Sequence, residues 1–516
     1  MPVSRTAAPI AIALCLLCHA SGRAATPPQP LDPVVAVAEG RLKGEWTSTG
    51  SAIFRGIPYA APPVGDLRWR PPQRPALWTG VRDARPSAPP CLQASLGWNV
   101  ADAERSAEDC LTIDVRTSHL DPKAHLPVLV WIHGGGNWGG SAGWVIDSAL
   151  ADRGLVVVTI QYRLGILGFL SHPHLSRESP YAVSGNYALM DQIAGLKWVQ
   201  KNIAAFGGDP RSVTLAGHSA GAQDVGLLML VPEARGLFAR AIQQSGTAGF
   251  GLPSRPLAEN ESLGKQFTKL AGVAAGEDDI ASLRALPARK LLDAQMQLET
   301  GTLADDSYIF LQAVVDGRIV PAPPEDLLRA GRSAPVPLMI GNAAQELALN
   351  SGDSSVWRVV ARGFGRSAPV AGTLYGLVNG LQPPEDALLG SAAMQIADDL
   401  TFRCPAAFTA DMHTQSGQPI WRYQMERAAP GATRIDHGAE LTFIFGNQPL
   451  DAAVDARQPF LPAYWVNFIR TGDPNGPDLP RWPRYGTSRD YVRFTAHGPV
   501  ADRGLRAQIC ALLERP

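Results

Sequence analysis

The 516-residue sequence lacks an excess of charge of either sign. It has 46 Lys and Arg against 47 Asp and Glu, for a formal net charge of −1, and its basic residues are scattered rather than clustered. Nucleic acids and anionic membranes attract proteins through concentrated positive charge. The balance therefore argues against nucleic acid and membrane surfaces as partners and favours a small neutral ligand.

Long hydrophobic runs are missing beyond the N-terminus. Residues 7–20 form an apolar stretch that follows Arg5 and precedes small residues at 21–25. This layout predicts a signal peptide over residues 1–25, because the run is too short to span a bilayer. A retained short anchor is the alternative. A proline-rich lead-in at residues 26–33 follows, and the mature protein is expected to be secreted or periplasmic with no stable membrane span.

Cysteine is scarce, with six in the whole chain, two of them in the predicted signal peptide. The four that remain are Cys91, Cys110, Cys404 and Cys510. None of their spacings is C-x-x-C, which argues against zinc and thioredoxin-like redox sites, so we expect no metal and no cofactor. An even number in an oxidising compartment favours two disulfides, with three pairings possible, over four reduced thiols.

The pattern most indicative of chemistry is at residues 217–221, which read Gly-His-Ser-Ala-Gly. The apolar run 213–216 before it predicts a strand, and the apolar residues up to Pro232 predict a helix after it. In a G-x-S-x-G elbow the serine sits on a strained strand-to-helix turn, where glycines avoid collisions with neighbouring backbone. The context predicts that Ser219 is a nucleophile rather than a turn residue.

A second motif supports this interpretation. Residues 127–132 read as a buried strand and are followed at once by His133 and three glycines, 134–136. Glycine backbone N–H groups at such a position can face a ligand unobstructed, as an oxyanion hole requires. A flexible turn is the alternative, and the preceding strand argues against it.

Strands and helices alternate along this part of the chain. Residues 155–160 are continuously apolar, as in a strand buried on both faces, and residues 186–203 have helical periodicity. Alternation of this kind predicts a doubly wound, mostly parallel α/β sheet that binds ligands beyond the carboxyl ends of its strands. Because no linker interrupts residues 34–516, we expect one catalytic domain there.

Beyond the two motifs, further segments follow in a characteristic order. They are Phe54-Arg-Gly-Ile-Pro-Tyr-Ala60, Glu108-Asp-Cys-Leu111, Tyr162-Arg-Leu-Gly165, Phe206-Gly-Gly-Asp-Pro210, Gln244-Ser-Gly246 and Asp473-Pro-Asn-Gly476. With them the chain, from about Gly40 onward, resembles the type-B carboxylesterases, the cholinesterase-like α/β-hydrolases, and within them the bacterial para-nitrobenzyl-esterase-like branch. The resemblance implies the α/β-hydrolase fold, with helical insertions around an active-site gorge, and ester hydrolysis through a serine.

A serine nucleophile needs a histidine to accept its proton, and α/β-hydrolases place the histidine after the serine in the chain. Only His413, His437 and His497 follow Ser219. His413 falls in a predicted helix and His497 in a polar loop. His437 matches the histidine segment of the family and is therefore the predicted base, with a surface loop residue as the alternative.

The histidine in turn needs a carboxylate to fix its tautomer. Residues 337–341 predict a buried strand, and Glu346 lies in the loop at its end. The resemblance places the acid of the triad at Glu346. The family usually has an aspartate immediately before this glutamate, whereas this chain has Gln345, so Asp353 on the same loop is the reserve candidate.

Other roles come from the resemblance alone. It implies an oxyanion hole formed by the backbone N–H groups of Gly135, Gly136 and Ala220, and disulfides that join Cys91 to Cys110 and Cys404 to Cys510. The predicted pocket residues are Trp98, Trp138, His218 and Phe310. Each aromatic residue could instead belong to the core.

Together these features predict an exported serine carboxylesterase that acts on a small-molecule ester through a Ser219–Glu346–His437 triad. A catalytically silent binding or adhesion protein on the same fold is one alternative, because fold does not fix function. A lidded lipase is the other.

Overall fold

The computed structural model describes Met1 and residues 31–248, 255–298, 313–346, 356–377, 383–446 and 460–513. The chain divides into two compact units, Met1–Asp32 and Pro33–Pro516. Most of the predicted signal peptide lies outside the described residues. No helix in the described ranges is both long and apolar enough to cross a membrane.

The strands of the second unit, in chain order, have the following bounds. They are β1 Val34–Val37, β2 Gly40–Lys43, β3 Glu45–Trp46, β4 Ala52–Pro58, β5 Val81–Asp83, β6 Thr112–Thr117, β7 Leu126–Ile132, β8 Val156–Ile160, β9 Gly208–His218, β10 Arg240–Gln244, β11 Leu338–Ala343, β12 Ile420–Met425, β13 Asp490–Thr495 and β14 Gly498–Arg503.

The α-helices are distributed between these strands and after them. They are α1 Val100–Arg105, α2 Gly143–Ile146, α3 Gly165–Phe169, α4 Pro173–Glu178, α5 Tyr187–Asn202, α6 Ala220–Leu230, α7 Leu257–Leu270, α8 Asp279–Ala285, α9 Ala288–Met296, α10 Pro324–Arg329, α11 Val356–Phe364, α12 Ala368–Leu374, α13 Ala392–Asp398, α14 Cys404–Gln415, α15 Ala439–Phe445, α16 Phe460–Thr471 and α17 Ala507–Leu513. A π-helical turn, Asp399–Arg403, joins α13 to α14.

A large sheet of eleven strands runs in the order β14-β13-β12-β11-β10-β9-β7-β8-β6-β4-β3, and β1, β2 and β5 form a small separate sheet. From β8 to β13 every neighbouring pair is parallel, and the edge pairs are antiparallel. The prediction of a mostly parallel α/β sheet is confirmed. Its central strands are apolar because helices cover both faces.

The register of the parallel strands brings the two motifs together. Ile132 at the end of β7 pairs with Gly217 at the end of β9, so the glycine loop after β7 and Ser219 after β9 emerge side by side. β10 pairs with the other edge of β9, and its neighbour β11 ends at Ala343, shortly before Glu346. Carboxyl ends of adjacent parallel strands thus assemble the site at one edge of the sheet.

Two local expectations differ from the structure. The strand before Ser219 begins at Gly208 rather than at Val213, because Leu126 of β7 pairs with Gly208 and a register irregularity then carries the ladder on to Val213. The sequence analysis predicts no strand over residues 54–60, but most of this segment lies in β4, which pairs with β6 through a bulge between Phe54 and Ile57. Gly56, with φ 62°, accommodates this bulge.

Candidate active site

Ser219 lies on the turn between β9 and α6 with φ 58° and ψ −127°. A positive φ is strained for a residue other than glycine and persists only where the surroundings enforce it. The flanking glycines allow it: a Cβ at Gly217 would lie 2.5 Å from the carbonyl of Gly221, and one at Gly221 would lie 2.2 Å from the carbonyl oxygen of Ile132. The strand, strained turn and helix predicted around Ser219 are present.

The glycine loop packs directly against this turn. A Cβ at Gly134 would lie 2.6 Å from the carbonyl oxygen of His218, and Gly135 and Gly136 have φ values of 111° and 65°. Gly135 and Gly136 line the same cavity as Ser219, and Ala220 is the first residue of α6. The backbone N–H of a first helical residue has no partner inside its helix, so this amide remains available to a ligand.

His437 and Glu346 contact each other, although 91 positions separate them in the chain. Nδ1 of His437 lies 2.5 Å from Oε2 of Glu346, whose side chain has no solvent exposure. The other carboxylate oxygen of Glu346 accepts a hydrogen bond from the backbone N–H of Ala343 at 2.7 Å. Asp353 lies outside the described residues.

A buried ionic cluster holds the loop that carries Glu346. The backbone N–H of Glu346 donates to Oδ2 of Asp398 at 3.0 Å, and the guanidinium of Arg403 donates to the same oxygen at 3.2 Å and to the carbonyl of Ala344 at 2.8 Å. Gln345 is anchored separately, since its amide donates to the carbonyl of Leu388 and accepts from Arg434. Asp398 and Arg403 were not predicted from the sequence, because their role depends on contacts between distant segments.

The pKa values of the two histidines in the cavity shift in opposite directions. Burial lowers the pKa of His437, but the charge and hydrogen bond of Glu346, together with the charges of Glu440 and Asp398, outweigh burial, so this pKa lies above its ordinary value. Burial and the neighbouring His437 lower the pKa of His218 well below its ordinary value. His437 is thus poised to take up a proton while His218 stays neutral.

A second carboxylate, Glu440, is buried near Glu346. Oε1 of Glu440 accepts a hydrogen bond from the hydroxyl of Tyr423 at 2.8 Å, and burial together with the charge of Glu346 raises the pKa of Glu440. Glu440 was not predicted from the sequence. Its charge also contributes to raising the pKa of His437.

A cavity of about 730 Å³ opens above these groups and contains Ser219 and His437 in its wall. Of the predicted pocket residues, Trp98, Trp138 and His218 line it, and Phe310 lies outside the described residues. Trp98 is 61% exposed, so it stands at the mouth. The lining residues that sequence reasoning missed include Leu96, Asp102, Trp131, Trp144, Phe402 and Leu441.

Both disulfides implied by the resemblance are present, Cys91–Cys110 and Cys404–Cys510. The first closes the loop that carries Trp98 and helix α1. The second joins α14 to α17 and adjoins Arg403, the residue that holds the Glu346 loop. Each crosslink therefore supports one side of the cavity.

Three possible metal ligands lie together elsewhere in the described part of the chain. Ligand atoms of His172, His174 and Asp279 all lie within 4.8 Å of one another. Nδ1 of His172 accepts a hydrogen bond from the backbone N–H of His174, so a neutral His172 ring carries its proton on Nε2, on the side of Asp279. Nδ1 of His174 also lies 2.7 Å from Oδ1 of Asp279, and this hydrogen bond joins α4 to α8.

A mostly parallel sheet that presents a serine on a strained strand-to-helix turn, beside a glycine loop and a histidine, defines an α/β-hydrolase. Within that class the chain belongs to the carboxylesterase family, whose family model matches residues 31–355 and 381–513. The protein is a carboxylic ester hydrolase. The resemblance stated from the sequence is confirmed.

Several relatives and solved structures are similar over most of the chain. Fumonisin B1 esterase of Sphingopyxis macrogoltabida is 34% identical, covering 86% of this chain and 83% of its own length. Carboxylesterase 4A of Bos taurus is 34% identical, with 90% and 91% covered. The solved carboxylesterase EST55 of Geobacillus stearothermophilus has 32% identity and a TM-score of 0.80, with 93% of this chain and 100% of the solved chain covered. A solved PNB esterase has 31% identity, a TM-score of 0.80 and the same coverage.

Proposed function

We propose that the protein is an exported serine carboxylesterase that uses Ser219, His437 and Glu346 as a catalytic triad and forms an acyl-enzyme. Residues 34–516 form its single catalytic domain. The substrate is a small-molecule ester bound in the cavity of about 730 Å³.

In the proposed mechanism Oγ of Ser219 attacks the ester carbonyl as Nε2 of His437 accepts its proton. Glu346 fixes the tautomer in which Nδ1 carries a proton, and it stabilises the imidazolium. The backbone N–H groups of Gly135, Gly136 and Ala220 stabilise the negative oxygen of the tetrahedral intermediate, each by about 3 kcal/mol. His437 then protonates the departing alcohol. Water next attacks the acyl-enzyme and gives a proton to His437, which returns a proton to Oγ of Ser219 as the carboxylic acid is released.

The single observation that carries this proposal is the contact of 2.5 Å between His437 and Glu346 at the wall of the cavity that also contains Ser219. Nε2 of His437 is buried and has no hydrogen-bond partner among the described residues. A buried nitrogen without a partner costs free energy, and the residue that carries this one lines the same cavity as Ser219.

Covalent labelling tests the proposal. A p-nitrophenyl alkylphosphonate should release one equivalent of p-nitrophenol and leave the phosphonyl group on the peptide that contains Ser219, as measured by mass spectrometry. Ser245 is a matched control, because it also follows a strand, is fully buried and has a positive φ of 52°. Ser245→Ala should label normally and Ser219→Ala should not. Label on another residue, or none, would refute the serine mechanism.

Steady-state substrates separate an esterase from a lipase. An esterase should hydrolyse dissolved p-nitrophenyl butyrate without activation at an interface, whereas a lidded lipase should become more active on emulsified triglyceride.

The two disulfides support export, because such bonds persist mainly in oxidising compartments. The mature protein isolated from its host should begin near residue 26, and an intact N-terminus in a cytosolic fraction would contradict export.

A further inference from the structure

Asn137 directly follows the glycine loop that bears two of the proposed oxyanion donors. It is 1% exposed and has φ 60°, a conformation that asparagine tolerates better than most residues. Its carbonyl accepts a hydrogen bond of 2.7 Å from the backbone N–H of Gly165, at the start of α3. Its backbone therefore has a fixed position, and its side chain points into the protein.

The side chain of Asn137 connects two elements that belong to different parts of the site. Nδ2 of Asn137 donates to Oδ1 of Asp224 at 3.1 Å. Asp224 lies on α6, the helix whose first residue, Ala220, supplies the third proposed oxyanion donor. The three donors thus come from two elements, and this hydrogen bond joins those elements directly.

Tyr162 connects the two ends of the glycine loop. Its hydroxyl lies 2.7 Å from the carbonyl oxygen of His133, before the glycines, and 3.1 Å from Oδ1 of Asn137, after them. The ring of Tyr162 also stacks on the ring of His133, with centroids 4.4 Å apart. The loop is therefore closed at both ends by one side chain.

Asp224 is fully buried, and its second carboxylate oxygen accepts a hydrogen bond of 2.6 Å from the amide of Gln192 on α5. Burial raises the pKa of Asp224 to about 7, against the two amide hydrogen bonds that lower it. Both the ionised and the protonated carboxyl of Asp224 can form a hydrogen bond with Asn137. If the Asn137 amide rotates, its oxygen accepts a hydrogen bond from the protonated carboxyl and its nitrogen donates to the hydroxyl of Tyr162. The contact persists in either state.

We propose that Asn137 and Asp224 are positioning residues that hold the glycine loop at a fixed distance from α6, so that all three oxyanion donors converge on one point. This inference rests on the proposed function. A buried polar cluster with a purely structural role would affect stability alone. A positioning role requires that its loss weaken binding of the transition state more than binding of the substrate.

The first variant is Asn137→Gly, which keeps the positive φ and removes both side-chain contacts. Asn186→Gly is the control, because Asn186 is also buried, has φ 56° and hydrogen-bonds Val314 and Asp316. For Asn137→Gly we expect kcat to fall about 10- to 100-fold, part of the effect of losing an oxyanion donor, with KM within about threefold. Asn186→Gly should lose stability and keep its kcat.

A trifluoromethyl ketone provides the second measurement, because its adduct with the serine carries an oxyanion. Its inhibition constant should rise in Asn137→Gly by the same factor as kcat falls, and should be unchanged in Asn186→Gly. If kcat and this constant both stay within twofold of wild type, or if KM alone changes, the proposal is wrong. A wild-type enzyme insensitive to the ketone would instead refute the serine mechanism itself.

A reciprocal exchange tests the contact even where one variant folds poorly. Asn137→Asp alone places two buried carboxyls together and should lower kcat. Adding Asp224→Asn should restore it to within about threefold of wild type, because the new amide donates to the new carboxylate and still accepts from Gln192. Asp224→Asn alone should be mild, and Asp224→Ala should match Asn137→Gly. Failure of the exchange to restore kcat would overturn the proposal.

Discussion

The imidazole rings of His218 and His437 lie against each other, with centroids 4.5 Å apart and planes inclined by 46°. Burial and the adjacent His437 keep the pKa of His218 well below its ordinary value. His218 is therefore an uncharged side chain that packs against the proposed base. The pKa values of these two histidines shift in opposite directions because Glu346 contacts the ring of His437.

Replacement of the proposed nucleophile, Ser219→Ala, should lower kcat by a factor of about 10⁶ and leave the fold intact, because it removes one oxygen and no packing group. Turnover of a chromogenic ester and the far-ultraviolet circular dichroism spectrum measure the two parts. Activity above a thousandth of the wild-type rate would rule out this serine.

The base and the acid should differ in their effects. His437→Ala should lower kcat about as much as Ser219→Ala does. Glu346→Gln should lower kcat less, because the carboxylate orients and stabilises the imidazolium. Asp353→Asn is the control for the acid and should be nearly neutral. If Asp353→Asn is the more damaging change in kcat, the acid has been assigned to the wrong residue.

The pH profile should show one ionisation on its acid limb. His437 must be neutral to accept a proton, and Glu346 raises its pKa above the ordinary value of about 6.5 against the opposing effect of burial. The kcat/KM of the enzyme should therefore fall as pH decreases through a midpoint above about 6.5. Glu346→Gln should move this midpoint down. A wild-type midpoint clearly below the ordinary value would contradict the assignment.

The disulfides should stabilise the protein by different amounts. Cys91 and Cys110 are separated by 19 residues and Cys404 and Cys510 by 106, so the chain-entropy estimate gives about 3 and about 5 kcal/mol. Paired Cys→Ser variants compared by denaturant unfolding measure both values. Native protein should contain no thiol that can be alkylated, and four alkylated cysteines would refute both bonds.

Uncharged esters should be better substrates than choline esters of the same size. A neutral His218 supplies no negative charge beside Ser219, and Asp102, the carboxylate in the cavity wall, already accepts from Ser141 at 2.8 Å and Arg105 at 3.1 Å. The exposed face of Trp98 adds only about 0.5–1 kcal/mol for a cation. His218→Glu should narrow the difference in kcat/KM. Wild-type preference for butyrylcholine over 3,3-dimethylbutyl butyrate would show that the cavity favours cations.

The features that could be predicted from sequence are those that local physics determines. The strand, turn and helix around Ser219 follow from apolar runs and two glycines, and the motif order identified the family. Asp398, Arg403 and Asp224 could not be predicted, because each is an ordinary charged residue until the fold buries it beside a partner far away in the chain. The strand β4 was missed because its glycine and proline indicate a turn, whereas pairing with β6 overrides them.

The order of the strands along the chain also determines when the proposed catalytic residues become available during synthesis. Ser219 follows β9, Glu346 follows β11 and His437 follows β12, and these strands succeed one another in space as they do in the chain. A ribosome thus completes the serine, its turn and the glycine loop long before it reaches the histidine. A chain released early contains the proposed nucleophile without its proposed base. By the proposed mechanism, hydrolysis therefore requires nearly the whole polypeptide, and a chain that ends before His437 should not hydrolyse esters.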